Sequence, residues 1–250
     1  MSELLSSGAV QIVGRHPVAS NAVFVVDVEL DDRRERAIYK PVAGERELWD
    51  FPSGNLARRE VAAYRFANAL GIDVIPVTVW RDDLQHGPGS LQRWIDDAEP
   101  KDVEVVTEVA DGWLHVLDAE LQDGTPVVVA HRDSPDLRML AVLDALMNNA
   151  DRKAGHVLRD PDGKLWAVDH GVTFHAESKL RTVLWGFVGQ PLDDAHVEAL
   201  VAVPNALDAV SDWLDDIELD AIQGRADSLL GRGLFPAPSG EWPAIPWPIW

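Results

Sequence analysis

Two acidic segments carry the chemistry that this chain can do: Asn149-Ala150-Asp151-Arg152-Lys153-Ala154-Gly155-His156 and Val168-Asp169-His170-Gly171. The residues between them predict strand, tight turn, strand, because Asp160-Pro161-Asp162-Gly163 is strong turn chemistry between two apolar runs. Such a hairpin brings Asp151, ahead of its first strand, close to Asp169, at the end of its second. Two carboxylates gathered beside a polar loop suit metal binding and phosphoryl transfer, where positioning and charge neutralisation do most of the chemistry. Taken singly, each aspartate reads as a loop or turn residue; the shared hairpin makes the functional reading the better one.

A second pair lies upstream. Lys40 closes a short strand, Arg36 to Pro41. Alone it reads as a surface lysine at a strand edge. A helix is expected from Leu56 to Leu70, stopped by Gly71. On it Leu56, Glu60, Ala63 or Tyr64, and Ala67 share the apolar face, and Arg58, Arg59 and Arg65 lie elsewhere. A carboxylate on an apolar face is costly unless it is paired. Lys40, on the neighbouring strand, is the natural partner of Glu60.

These residues need scaffolding on both sides. Residues 9–30 alternate as a strand, pairing with 36–41 across the turn Asp31-Asp32-Arg33-Arg34-Glu35. Residues 72–80 read as a strand pair or one bent strand, and Ser90 to Ile95 as another extended segment. Residues 96–112 are acidic and weakly patterned, as a surface segment would be. From Leu137 to Asn149 the spacing turns helical, and it does so again near 193–203, 206–217 and 218–230. Strands early and helices late imply an α+β chain of two unlike lobes. The expected division is an N-lobe over 1–95, a C-lobe over 96–235 and a tail over 236–250. That tail, from Phe235, holds five prolines and three tryptophans. It reads either as an extension that packs its tryptophans on the body or as a docking peptide in polyproline form.

Composition narrows the options. At 46% hydrophobic and 26% charged residues, the 250-residue chain is an ordinary globular protein. Without cysteine it has no disulfide, thiolate nucleophile or cysteine-ligated metal. Its net charge of −20 repels nucleic acid and anionic membranes. No signal peptide or membrane-length apolar run is read, so a cytoplasmic protein with no nucleic-acid partner and no membrane insertion is expected.

A lysine on a strand, a glutamate on the next helix, an aspartate after a long helix, a hairpin, then Asp169-His170-Gly171 resembles the protein-kinase-like fold. The Asp151-Arg152-Lys153-x-x-His156 loop is similar to the Asp-Arg-His-x-x-Asn loop of phosphatidylinositol 3-/4-kinases, and Asp169-His170-Gly171 to their metal-binding Asp-Phe-Gly. Tyr39-Lys40-Pro41, Gly44-Glu45-Arg46 and Leu48-Trp49-Asp50-Phe51 resemble small bacterial phosphatidylinositol-kinase-like proteins. The resemblance spans residues 10–190. It implies an ATP-dependent phosphotransferase with ATP, or GTP, and Mg²⁺ or Mn²⁺ as cofactors. Lys40 would contact phosphates and Glu60 would orient it. Asp151 would be the catalytic base or a substrate-orienting carboxylate, and Asp169 would hold the metal. Ser90 to Trp94 would form the hinge at the adenine, with Gln92, Arg93 and Trp94 among its contacts.

The sequence departs from that pattern in three places. His156 stands where the family has a metal-binding Asn. It implies one metal rather than two, a phosphate contact, or a softer ion. No Gly-x-Gly-x-x-Gly occurs; Gly14 to Asn21 takes its place, with Ser20 and Asn21 as phosphate donors. A literal His131-Arg132-Asp133 precedes the long helix. It is read as a loop that caps that helix, because Arg138, not Asn, follows Asp133 at the fifth position. Two alternatives stand beside a kinase. A nucleotide-binding pseudokinase or scaffold is suggested by His156 and the thin glycine loop. A metal-dependent phosphohydrolase would gather Asp151, His156, Asp169, His170 and His175. Lipid is a poor acceptor for so acidic a chain, so the expected acceptor is a protein or a small polar molecule.

Overall fold

A computed structural model describes residues 1–15, 22–46, 48–51 and 56–250. Ser20 and Asn21, the expected phosphate donors, lie outside the described residues. A short helix α1 (Ser2–Ser7) precedes β1 (Ala9–Arg15), β2 (Phe24–Leu30) and β3 (Arg33–Pro41). Residues 9–30 are thus two antiparallel strands rather than one. The register of β2 against β3 runs from Phe24 opposite Tyr39 to Leu30 opposite Arg33, around a turn in which Asp31 takes φ 52°. After α2 (Leu56–Ala69), β4 (Thr78–Arg81) and β5 (Gly89–Arg93) complete a five-stranded sheet ordered β1-β2-β3-β5-β4.

Residues 72–77 form no strand, contrary to expectation, although Ile72, Val74 and Ile75 are buried. Their apolar run packs as a connection, and single carbonyls serve neighbouring strands: Val74 O accepts from Ala167 N and Val77 O from Arg93 N.

The larger departure comes after β5. Three strands, β6 (Val103–Val106), β7 (Trp113–Glu120) and β8 (Pro126–Arg132), form a second antiparallel sheet ordered β6-β8-β7. The acidic stretch 96–112 therefore contains a strand. His131 and Arg132 belong to β8 rather than to a loop. The fully buried His131 accepts the Gly186 N–H through Nε2, and a Cβ at Gly186 would sit 2.6 Å from that nitrogen. Asp133 instead holds Arg138, on the following helix, at 2.7 Å. That triad is structural.

Helix α3 (Pro135–Met147) starts with Pro135 in its first turn and ends at Asn148 in the left-handed conformation. The hairpin β9 (Val157–Arg159) and β10 (Leu165–Ala167) matches expectation, as do helices α4 (Asp194–Val201) and α6 (Asp216–Arg232). Between them α5 spans only Val203–Leu207, so the helix expected over 206–217 gives way to turns. Capping boxes at Asp193 and Asp215 start α4 and α6, each aspartate accepting from the backbone three residues on.

The whole is an α+β architecture: a five-stranded antiparallel sheet with one main helix, then a region of a three-stranded sheet, α3, the β9–β10 hairpin and the helices α4 to α6. One apolar core nonetheless crosses between them. Ala62, Phe66 and Ala67 of α2 pack in the same cluster as Leu140, Leu143 and Phe174, with Phe66 and Phe174 edge to face at 6.0 Å. A smaller cluster of Leu4, Leu5, Val26, Val28 and Leu91 fills the sheet against α1. Helix α2 is therefore fixed from the helical side as well as by its own sheet, which fixes the position of Glu60.

Candidate active site

Glu60 is 2% exposed on α2 and meets Lys40 of β3: Nζ donates to Oε1. The strand that carries Lys40 is itself held close to β5 at Gly89. A Cβ there would lie 2.3 Å from the Lys40 carbonyl, so only glycine lets β5 pair so tightly with β3. The other Glu60 oxygen accepts the His170 N–H at 3.0 Å. One carboxylate thus ties the lysine to the Asp169-His170-Gly171 turn. Gly171 packs against the first turn of α2, where a Cβ would lie 3.3 Å from Leu56 Cβ.

Lys40 Nζ also donates to Asp169 Oδ1 at 2.9 Å, so it stands between two carboxylates. Asp169 has φ 61°, a left-handed backbone that aspartate tolerates. Its side chain is 52% exposed, so the cluster has an open side. Charge conforms to this geometry. Burial disfavours the Lys40 ammonium, but Asp169 and Glu60 outweigh it and hold its pKa above the ordinary lysine value. The Lys40 charge holds Asp169 well below the usual carboxylate range. Burial pushes Glu60 up, against the pull of Lys40.

The Asp151 loop is hung on Arg152, whose side chain is completely buried. Nε and Nη2 grip the two oxygens of Asp144 on α3 at 2.8 and 2.9 Å. Nη1 donates to Val168 O at 2.9 Å, and Nη2 donates to His170 Nε2 at 2.7 Å. An arginine can only donate, so His170 must accept at Nε2 and carry its proton on Nδ1. Burial and the Arg152 charge hold His170 neutral, far below the ordinary histidine pKa. Asn149 completes the knot, donating to Asp144 Oδ1 and accepting the Asp151 N–H. A buried, bidentate, fully bonded guanidinium of this kind positions by geometry.

Asp151 faces Lys153 at 3.4 Å and Arg181 at 3.8 Å. Burial pushes its pKa up, against both cations. A carboxylate raised in this way, with cations at its rim, can accept a proton transiently. Segment 179–185 runs alongside: Arg152 N donates to Arg181 O, Val183 N to Arg152 O and Arg181 Nε to Ala150 O. Asn148 binds the start of that segment and the residues before it, accepting from Lys179 N and donating to His175 O and Glu177 O.

His156 Nε2 lies 3.4 Å from Asp169 Oδ2. Burial drives its pKa down to about 4, so it is neutral at physiological pH. Its buried Nδ1 meets no hydrogen-bond partner among the described residues. One carboxylate and one neutral imidazole form a partial donor set, fitting a divalent ion that takes its remaining ligands from phosphate and water. No group of three or more His, Asp or Glu donors occurs among the described residues. The five-residue cluster of the hydrolase reading does not form: His170 is spent on Arg152, and His175 stacks edge-on against Phe51 at 5.2 Å.

The expected hinge is partly occupied. Gln92 is buried and donates to Thr78 Oγ1. The Arg93 N–H goes to Val77 O and the Trp94 N–H to Arg36 O, so both are already engaged within the chain. A cavity of about 410 Å³ lies at Arg93, Trp94 and the β9–β10 turn; Lys40 and Asp169 are not in its lining.

Sequence reasoning also missed groups that matter. Arg59, expected off the buried face, is 6% exposed and bonds Thr173 O and Glu218. Glu45 caps α2 from a distance, accepting from Leu56 N and Ala57 N. The capping role of Glu45 had no local signal, because it acts across eleven residues of chain. The Asp144–Arg152 pair did have one: an aspartate on an apolar helix face and an arginine eight residues on.

Known proteins can be set beside this geometry. No family model matches the chain. It is 42% identical over 262 aligned residues to Protein Rv2133c of Mycobacterium tuberculosis, covering 98% of this chain and 94% of that one. The chain belongs to the family of that protein. Among solved structures, the crystal structure of a Helicobacter pylori proinflammatory kinase, CtkA, is similar at a TM-score of 0.48 and 12% identity, over 92% of this chain and 94% of that one. So loose a superposition assigns no role to any residue. None of the described helices is long and apolar enough to cross a membrane.

Proposed function

We propose that this chain is an ATP-dependent phosphotransferase of the phosphatidylinositol 3-/4-kinase-like class, with a protein side chain or a small polar molecule as acceptor. One observation carries the reading: Lys40 is held between a buried glutamate and the aspartate of a left-handed turn, with Asp151 in a loop that the buried Arg152 ties to Asp144 on α3. A scaffold has no use for an ammonium shared by two carboxylates at an open face. A phosphate donor site does, because charge is concentrated there in the transition state.

In this reading Lys40 binds the donor phosphates and Glu60 orients it. Asp169 and His156 would hold the divalent ion, which neutralises phosphate charge when bound. The base would meet the remaining polar groups of 92–94, and Ser20 and Asn21 would contact phosphate. GTP is the alternative donor, and Mn²⁺ the alternative metal. The acceptor hydroxyl oxygen bonds to the γ-phosphorus as the bond to the β–γ bridging oxygen breaks, ADP leaves, and Asp151 orients the hydroxyl and takes its proton. Asp151→Asn should cut ADP release by roughly 10²–10⁴-fold while nucleotide binding persists. Undiminished release in Asp151→Asn would remove that residue from the reaction.

A second reading rests on His156. A neutral imidazole in place of an oxygen ligand would suit a protein that binds nucleotide without turnover. ADP release by the wild-type protein with Mg²⁺ or Mn²⁺ decides against it; binding without release supports it.

A further inference from the structure

Two conspicuous sequence features have no role in the site as described: Trp49-Asp50 and the tryptophan-rich tail. The fold brings them together on Lys179. That lysine is 4% exposed, beside Asp50 at 3.5 Å, with its ammonium 4.1 Å from the Trp242 ring and 5.4 Å from that of Trp49. The two indoles lie 6.1 Å apart. A desolvated ammonium between aromatic faces and one carboxylate is a strong, directional anchor.

The tail continues along the Asp151 loop. Ala244 O accepts from Thr182 N and from Trp185 Nε1, and Ile249 O accepts from Ala154 N. Pro246 and Ile249 are buried, and Trp247 and Trp250 are exposed. Trp242 also lies 5.9 Å from the guanidinium of Arg181, the residue that reaches Asp151. The strap therefore holds both walls of Asp151: the 179–185 segment at its front and Ala154 behind.

We propose that residues 242–250 are a positioning strap for the Asp151 loop, with Trp242 its positioning residue, clamped through Lys179. The proposal rests on the phosphotransfer reading. It differs from simple packing because the strap's hydrogen bonds go to the two segments that flank Asp151, whereas Lys40, Glu60 and Asp169 bond to one another and to the His170 backbone. Loss of the clamp should then lower turnover and spare nucleotide binding.

The test uses the full chain with Mg²⁺ and ATP, water as the acceptor, and ADP release as readout. The buried Trp242 Nε1 has no hydrogen-bond partner among the described residues, so phenylalanine keeps the aromatic face and loses no bond to them. Trp242→Ala should lower kcat at least tenfold, leave KM for Mg²⁺-ATP within twofold, and speed amide exchange at Ala154 and Thr182. Trp242→Phe should recover kcat to within threefold of wild type. Trp49→Ala, at a ring 83% exposed, should fold and show a smaller loss in the same direction. Unchanged kcat in both alanine variants overturns the proposal, as does a KM for nucleotide that rises in step with the fall in kcat. No ADP release by wild type overturns the phosphotransfer reading, and the strap's catalytic role with it. That result is distinct from unchanged turnover in the variants.

Discussion

At the scale of single residues, buried charge made the site legible. Glu60 on an apolar helix face demanded a cation, and Lys40 on the next strand supplied it. The role of His156 was less legible, because its neutrality comes from burial that no local pattern reveals. That neutrality makes a prediction about the metal-free protein. The folded state resists protonation down to about pH 4, while the unfolded histidine takes up its proton near 6.5. Between those values the unfolded chain binds the extra proton, so stability is full above about pH 6.5 and falls as the pH drops. His156→Gln should remove on the order of 3 kcal/mol of that acid loss, read as a shallower fall in chemical-denaturation free energy from pH 7 to 4.5. Parallel curves for the two proteins would contradict it.

At the scale of elements, the sequence read best where one face alternates or one period repeats: β2, β3, α2, α3 and the β9–β10 hairpin. It failed where tertiary contact decided. Residues 72–77 are apolar enough for a strand, yet their neighbours take single carbonyls instead of a ladder. The three-stranded sheet of β6, β7 and β8 hid behind acidic residues and a register shift between His115 and Leu117. The Arg152 knot joins α3, the Asp151 loop and the end of β10. Arg152→Ala strands the buried Asp144 carboxylate and should cost about 3–5 kcal/mol of unfolding free energy. Arg152→Lys should recover little of it, since an ammonium cannot reproduce the two-pronged grip. A urea titration that places Arg152→Lys level with wild type would show that charge alone suffices there. Gly89→Ala should also destabilise, by separating β5 from the carbonyl of Lys40.

At the scale of the whole molecule, the dominant quantity is the net charge of −20. Self-repulsion of that size lowers the stability of the compact state, and salt screens it over a Debye length of about 10 Å at 0.1 M. The melting temperature should therefore rise between low salt and about 0.15 M NaCl. A fall would mean that local ion pairs outweigh the global repulsion. The same field makes the clustered cations Lys40, Lys153 and Arg181 more telling, because an anionic nucleotide must be drawn in against it.

The most direct test of the central claim is a thermal-shift titration with ATP and Mg²⁺ or Mn²⁺ on wild type, Lys40→Ala and Asp169→Asn. A ligand that binds only the native state raises the melting temperature, by about 2.7 kcal/mol of added stability at a hundred times its Kd. The account predicts a metal-dependent rise in wild type that both variants lose. A rise that survives in both variants, or none in wild type with ATP or GTP, would contradict it.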